Sequence, residues 1–307
     1  MIETEGLSKS FGGLRAVDDL CLDVPAGVVF GFLGPNGAGK TTTIRMLLGL
    51  MEPTSGEARV LGFDVRTQAA RVRERVGVLL DNDGLYERLT AYDNLDYYGE
   101  IYRLSRTERQ SRIRRLLEHM GLWDRRNERV RTYSRGMRQK LGLARAILHG
   151  PLLVFLDEPT SGLDAVSAVS LREGLRNLAL REGVTVFLTT HNLAEAEKVC
   201  DRVAVIHRGR LIAEGLPSEI GTGIRRPRLE IAGYGFTPGM VAALESRPEV
   251  ERVALGEDGL TIDLNEGASA APLVRLLVDM GAGIEEVRKQ AAGLEEAFIA
   301  LLKEQQA

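Results

Sequence analysis

The chain has 307 residues, 44% hydrophobic and 27% charged, the balance of an ordinary globular protein with room for two domains, which excludes a disordered or fibrous class. Lysine plus arginine is 40 against 43 aspartates and glutamates, a net charge of −3, so a general polyanion binder is disfavoured and no nucleic-acid partner is expected. Cys21 and Cys200 are too few and too far apart for a zinc knuckle or a disulfide framework, and both are expected as buried apolar fillers in a reducing compartment.

At the N-terminus, MIETEGLSKSF lacks the basic and then apolar run of a signal peptide, and no later stretch approaches the ~18 apolar residues of a membrane helix. The chain is therefore not expected to span a membrane by itself. Residues 2–24 alternate as strands do, and GVVFGFL from Gly27 reads as a short buried strand entering a glycine-rich turn, with a helix over about 40–50. Compact apolar runs at 76–80, 152–156 and 184–188 have strand length and are separated by helical segments, which predicts an α/β fold with a mostly parallel sheet.

Between about 90 and 149 the pattern is helical, and 103–138 holds 12 arginines against 4 acids, an excess of 8. Two readings stand: a solvated helical face, or a surface toward anionic lipid headgroups or an acidic partner. After about Gly221 the composition turns alanine- and glutamate-rich, and the predicted order is strand, helix, strand, strand, helix, strand, helix. Leu260, Ile262 and Leu264 alternate, whereas Leu273, Leu276, Leu277 and Met280 keep helical spacing. The first six elements have the βαββαβ order of a small ferredoxin-like sandwich. This tail carries no motif of its own chemistry, so binding or regulation is its expected role.

Residues 34–41 read GPNGAGKT, satisfying G-x-x-x-x-G-K-[ST] between a predicted strand and a predicted helix, the context of a P-loop. Gly34, Gly37 and Gly39 free the backbone to curl, with Pro35, Asn36 and Ala38 between them, so that N–H groups and the helix N-terminus face phosphate oxygens. Lys40 is expected to neutralise β- and γ-phosphate charge, Thr41 to offer a hydroxyl to Mg²⁺, and Thr42 to lie near the α- and β-phosphates. LLVFLDEP supplies the complementary carboxylates at the end of a buried strand. Asp157 suits a small hard cation that keeps much of its water, and Glu158, next in line, is placed to orient or deprotonate an attacking water.

A P-loop alone fits kinases, GTPases, helicases and transport ATPases. The tetrapeptide NKxD that reads guanine is absent. YSRGMRQK (133–140) followed by LGLARAIL, then LDEPTSGLD, then LTTH ending at His191, resembles the ATP-binding cassette (ABC) family in content and order over about residues 1–220. The resemblance implies a cassette domain at 1–220 with a helical subdomain at about 85–150, and an accessory domain at 221–307. It also implies that Ser134 and Gly136 contact the γ-phosphate of ATP held by a second copy, that Phe11 stacks on adenine, that His191 hydrogen-bonds the γ-phosphate, and that Asp164 communicates across the dimer. Ser134 is independently a good N-cap, leaving free amides at a helix start.

Two departures stand out. The family's glutamine that ligates Mg²⁺ aligns with Asp81, a shorter and charged replacement, with Asn82 and Asp83 available to share its task. In the signature, Arg135 and Met137 replace the commoner glycine and glutamine. The C-terminal stretch GIEEVRKQAAGLEEAFIALLKE looks like the accessory domain on ATPase subunits of drug, antibiotic and lipid exporters, with Leu294, Phe298 and Leu301 at helical spacing. The combined expectation is an ATP- and Mg²⁺-dependent ATPase subunit, dimeric, peripheral on the cytoplasmic face of the membrane, and partnered with a separate permease. A soluble ABC ATPase without a transport role is the alternative.

Overall fold

The computed structural model describes residues 1–80, 83–224, 228–256, 259–265, 267–290, 294–295 and 297–299, with the side chains of 221–224 and 290 left aside. The chain divides into two compact units, Met1–Glu214 and Gly215–Ala307, so the division falls six residues before the expected one at 220.

In the first unit the elements are β1 (Ile2–Phe11), β2 (Leu14–Val24), β3 (Val29–Leu33), α1 (Lys40–Leu47), β4 (Ser55–Val60), β5 (Phe63–Asp64), α2 (Ala69–Arg73), β6 (Val76–Leu79) and α3 (Ala91–Ile101). They continue with α4 (Arg106–His119), α5 (Arg135–Ile147), β7 (Leu153–Asp157), α6 (Ala165–Glu182), β8 (Thr185–Thr190), α7 (Leu193–Val199), β9 (Arg202–His207) and β10 (Arg210–Gly215). Two sheets form. One runs β2-β1-β4-β5, its β1 pairing antiparallel with both neighbours. The other has six strands in the order β10-β9-β3-β8-β7-β6, with β9, β3, β8, β7 and β6 paired in parallel.

The parallel sheet forms where the apolar runs predicted it, because β3, β7 and β8 are buried at every position and only a strand covered on both faces tolerates such a run. Its centre is aromatic: Phe30, Phe32 and Phe155 surround Phe187 with ring centroids 5.7, 5.5 and 5.5 Å away. The antiparallel sheet alternates instead, and this overturns the expectation for Cys21. In β2 its side chain takes an outward position and is exposed, while Cys200 is buried and its thiol is pushed up by desolvation.

The helical region α3–α5 has an apolar core of its own, built on Leu95, Ile113, Leu117, Leu141 and Leu148. Part of its arginine excess is answered by acids from outside the basic stretch. Arg109 pairs with Asp96 and Glu100, and Arg138 with Asp83 and Glu87. Arg112, Arg114 and Arg125 pair with Glu108, Glu118 and Glu128. These pairs favour the solvated-face reading for five of the stretch's twelve arginines, while Arg126 instead lies over the Trp123 ring.

The second unit contains α8 (Pro217–Ile224), β11 (Arg228–Tyr234), α9 (Pro238–Glu245), β12 (Val250–Leu255), β13 (Gly259–Leu264), α10 (Ala271–Asp279) and β14 (Gly283–Gln290). From β11 onward the order is strand, helix, strand, strand, helix, strand. The sheet runs β12-β13-β11-β14 with antiparallel pairs throughout. Leu229, Ile231, Ile262 and Leu264 on its inner face meet Met240, Leu244, Leu273 and Leu277 from the helices. Met280 lies beyond the end of α10 and is exposed, so it does not share the buried stripe with Leu273 and Leu277. Leu294 is buried and Phe298 half-buried, and Leu301 lies outside the described residues.

Candidate functional site

The order of the parallel sheet builds the site. β3, β8 and β7 are neighbours, in a register that sets Leu33 beside Thr190 and Asp157 beside Thr189. The loops leaving the C-terminal ends of these strands therefore converge, where ligands of open α/β sheets bind. They carry, respectively, the P-loop, His191, and Asp157 with Glu158.

The P-loop needs its glycines. At Gly34 an added Cβ would collide with Ile206 O, and at Gly39, with φ of +111°, it would collide with Ala16 O. Gly39 is also the N-cap of α1 and has no side chain to satisfy the helix's first amides, which remain open to an anion. Lys40, 6% exposed, folds back over the loop, donating to Gly34 O at 2.7 Å and Pro35 O at 3.2 Å.

Thr41 Oγ1 donates to Asp157 Oδ2 at 2.8 Å, so the two side chains expected to serve Mg²⁺ are in contact. The other Asp157 oxygen accepts from Thr189 Oγ1. Thr189, within the LTTH segment, is a further residue of the site that no local sequence motif marks. Its signal is positional: a fully buried strand threonine in register with the strand-end aspartate. The same hydroxyl accepts from Glu158 N at 3.1 Å.

Glu158 has φ of +48°, a left-handed conformation costing a non-glycine residue roughly 1–2 kcal/mol. That turn points its carboxylate back across the strand ends. Oε1 lies 3.3 Å from Lys40 Nζ, close enough to pair electrostatically though outside hydrogen-bond geometry, and Oε2 lies 2.8 Å from His191 Nδ1. His191 is about half exposed, so its outer face is open to a ligand.

Phe11, Pro35, Asn36, Gly37, Ala38, Gly39, Lys40, Thr41, Thr42, Asp157 and Glu158 line one cavity of about 400 Å³. Phe11 is 47% exposed at its mouth, with Lys9 Nζ 5.3 Å from the ring centroid, so it is not a core residue. A second cavity of about 590 Å³ shares Glu158 and adds His191 and Gly162.

Ser134, Gly136 and Asp164 line neither cavity. Ser134 caps α5 by accepting from Met137 N at 3.3 Å, and Asp164 caps α6 by accepting from Ser167 N at 2.9 Å, a bond that holds its carboxyl below the ordinary range. Asp81 and Asn82 lie outside the described residues. Asp83, the remaining stand-in, is committed to Arg138, whose Nε donates to it at 2.8 Å.

A P-loop, a strand-end Asp-Glu pair and a histidine on the next strand, arranged on this sheet, define a nucleotide-hydrolysing cassette. The family model for ABC transporters matches residues 17–161. Along 98% of its length the chain is 42% identical to the daunorubicin/doxorubicin resistance ATP-binding protein DrrA of Streptomyces peucetius, covering 92% of that protein. It is 34% identical to the bacitracin transport ATP-binding protein BcrA of Bacillus licheniformis, over 98% of this chain and 97% of that one. A solved ATP-binding subunit of an ABC transporter superposes with a TM-score of 0.66 at 32% identity, covering 72% of this chain and 91% of that structure. The chain belongs to the ABC transporter family as an ATP-binding protein, and it is an ATPase of that family.

Proposed function

We propose that this chain powers export of a substrate through a separate membrane-spanning permease, working as a dimer at the cytoplasmic face. The similarity to drug-resistance and bacitracin-transport ATP-binding proteins over almost the whole chain supports an export role. Among the described residues no helix is long and apolar enough to cross a membrane, which leaves the translocation path to another polypeptide.

The observation that carries the catalytic reading is the placement of Glu158 between Lys40 and His191. Glu158 holds the attacking water and takes its proton, with its left-handed turn keeping the carboxylate aimed across the P-loop. His191 fixes the second carboxylate oxygen and, on its open face, receives the γ-phosphate. Lys40 neutralises phosphate charge, and the open amides of the loop and of α1 bind the remaining oxygens. Phe11 supplies the face on which adenine stacks.

Thr41 and Asp157 fit Mg²⁺ by their chemistry, two hard oxygen donors in contact at the end of a strand. They would hold the ion, which would supply charge to offset that of the phosphates. Among the described residues no three His, Cys, Asp or Glu side chains form a cage, and an ion held largely through phosphate and water needs none.

In the dimer, Ser134, Gly136 and the open amides of α5 face the nucleotide on the partner's P-loop, with Asp164 beside them. The first unit is the cassette, and the second, from Gly215, is read as a ferredoxin-like accessory domain that binds or regulates. Glu158→Gln in the full chain tests the core of this reading. It should bind ATP and form a dimer by sedimentation with less than about a hundredth of wild-type turnover, the scale of a lost general base. A variant that stays monomeric at saturating ATP, or that keeps wild-type turnover, overturns it.

A further inference from the structure

The N-terminal part of α5 meets the loop between Glu158 and α6 at two places. Gln139 Nε2 donates to Pro159 O at 2.7 Å. Between them Gly136 keeps α5 close to the Asp164 turn, leaving only the room that a Cβ would fill against Ser167 Oγ and Leu163 Cδ2. The second contact is Arg135, whose guanidinium lies against Gly162. A Cβ there would lie 2.8 Å from Nε and displace the guanidinium, and Gly162 has φ of +70°, a backbone conformation that favours glycine.

Arg135 is exposed, and among the described residues its guanidinium has no ion pair or hydrogen bond. The interaction is therefore packing of a planar, weakly hydrated group on backbone, which an ammonium cannot reproduce. Arg135 and Gln139 are four residues apart and share one helix face. The Gln139 bond holds the loop at Pro159, and the Arg135 contact adds a second point at Gly162, three residues further on.

We propose that Arg135 is a positioning residue that fastens the Asp164 turn to the Ser134 turn, so that the two elements offered to the partner's nucleotide move as one body. The proposal rests on the dimer reading above. It gives a physical role to the arginine found where the family more commonly has glycine. Loss of the tether leaves the P-loop, Lys40 and Phe11 untouched, so nucleotide affinity should persist while turnover and coupling between the two sites fall.

The test uses the full chain with Arg135→Gly and Arg135→Lys. Both should bind MgATP within about twofold of wild type yet lose roughly tenfold in kcat, in line with the cost of small misplacements in a catalytic constellation, and lose cooperativity in ATP. Hydrogen exchange of the amides at 160–164 should quicken in both. Unchanged kcat in Arg135→Gly, or full rescue by Arg135→Lys, overturns the proposal, the latter because it assigns the role to charge. A parallel loss of melting temperature and ATP affinity also overturns it, by showing a general structural defect. Glu158→Gln carrying a native Arg135 separates the two ideas: its failure to dimerise with ATP sinks the dimer reading and leaves the Arg135–Gly162 contact unaffected.

Discussion

His191 and Glu158 meet at 2.8 Å, Nδ1 to Oε2, although 33 positions separate them in the chain. The contact exists because β8 and β7 are adjacent and parallel, so residues just beyond their C-terminal ends face one another. It makes the histidine a brace for the carboxylate, beside its proposed contact to phosphate. His191→Ala should therefore lower kcat by on the order of 10²-fold with little change in ATP affinity, measured by steady-state hydrolysis alongside equilibrium binding. An equal loss in affinity and in kcat/KM, with kcat preserved, contradicts the bracing role.

Lys40 behaves differently, because its ammonium is held by loop carbonyls as well as by Glu158. Lys40→Ala removes a charge-assisted contact to phosphate worth about 2 kcal/mol, which corresponds to roughly 30-fold in the Kd for ATP, and it frees Glu158 on one side. Calorimetry should register the weakened binding and a coupled assay the lost turnover. A variant with native Kd removes the lysine from the phosphate site.

Thr189→Val keeps the shape of a fully buried side chain while deleting the hydroxyl shared by Asp157 and the Glu158 amide. Two groups lose a partner at once. The variant should unfold about 1–3 kcal/mol more easily and require more Mg²⁺ for half-maximal turnover. Native behaviour in both denaturation and Mg²⁺ titration leaves Thr189 as filler.

His149, just past α5, stacks on Tyr102 with ring centroids 3.8 Å apart. Burial, aided by the nearby charges of Arg112 and Arg145, pushes its pKa down from 6.5 to about 4. The folded protein thus holds this histidine neutral where the unfolded chain takes up a proton. Its contribution to stability is complete above pH 6.5 and is lost as pH falls toward about 4, with a slope of up to about 1.4 kcal/mol per pH unit. Urea unfolding of wild type and His149→Phe at pH 7, 6 and 5 isolates this residue from the carboxylates. Parallel stability curves would falsify the assignment.

Much of the site was legible before any fold was known. The P-loop, the strand-end Asp157 and Glu158, and the Ser134 cap announce themselves by local rules of glycine spacing, strand length and capping. Cys21 was misjudged because a single residue's orientation depends on which face its strand buries, and β2 buries its even-numbered partners Leu20, Leu22 and Val24. The basic stretch was ambiguous for a related reason. Asp83, Glu87, Asp96 and Glu100, which pair with its arginines, precede it in sequence and reach it only through the packing of α3 and its preceding loop against α4 and α5.

By itself, then, the amino-acid order determined which groups are the candidates for handling phosphate and at which element ends they stand, because those signals span only a few neighbouring residues. Tertiary structure alone decided that Glu158 sits between Lys40 and His191, that Thr189 supports the carboxylate pair, and that Arg135 lies on Gly162. Each is a contact between segments brought together by sheet order and helix packing, and a relation of that kind has no local pattern to betray it.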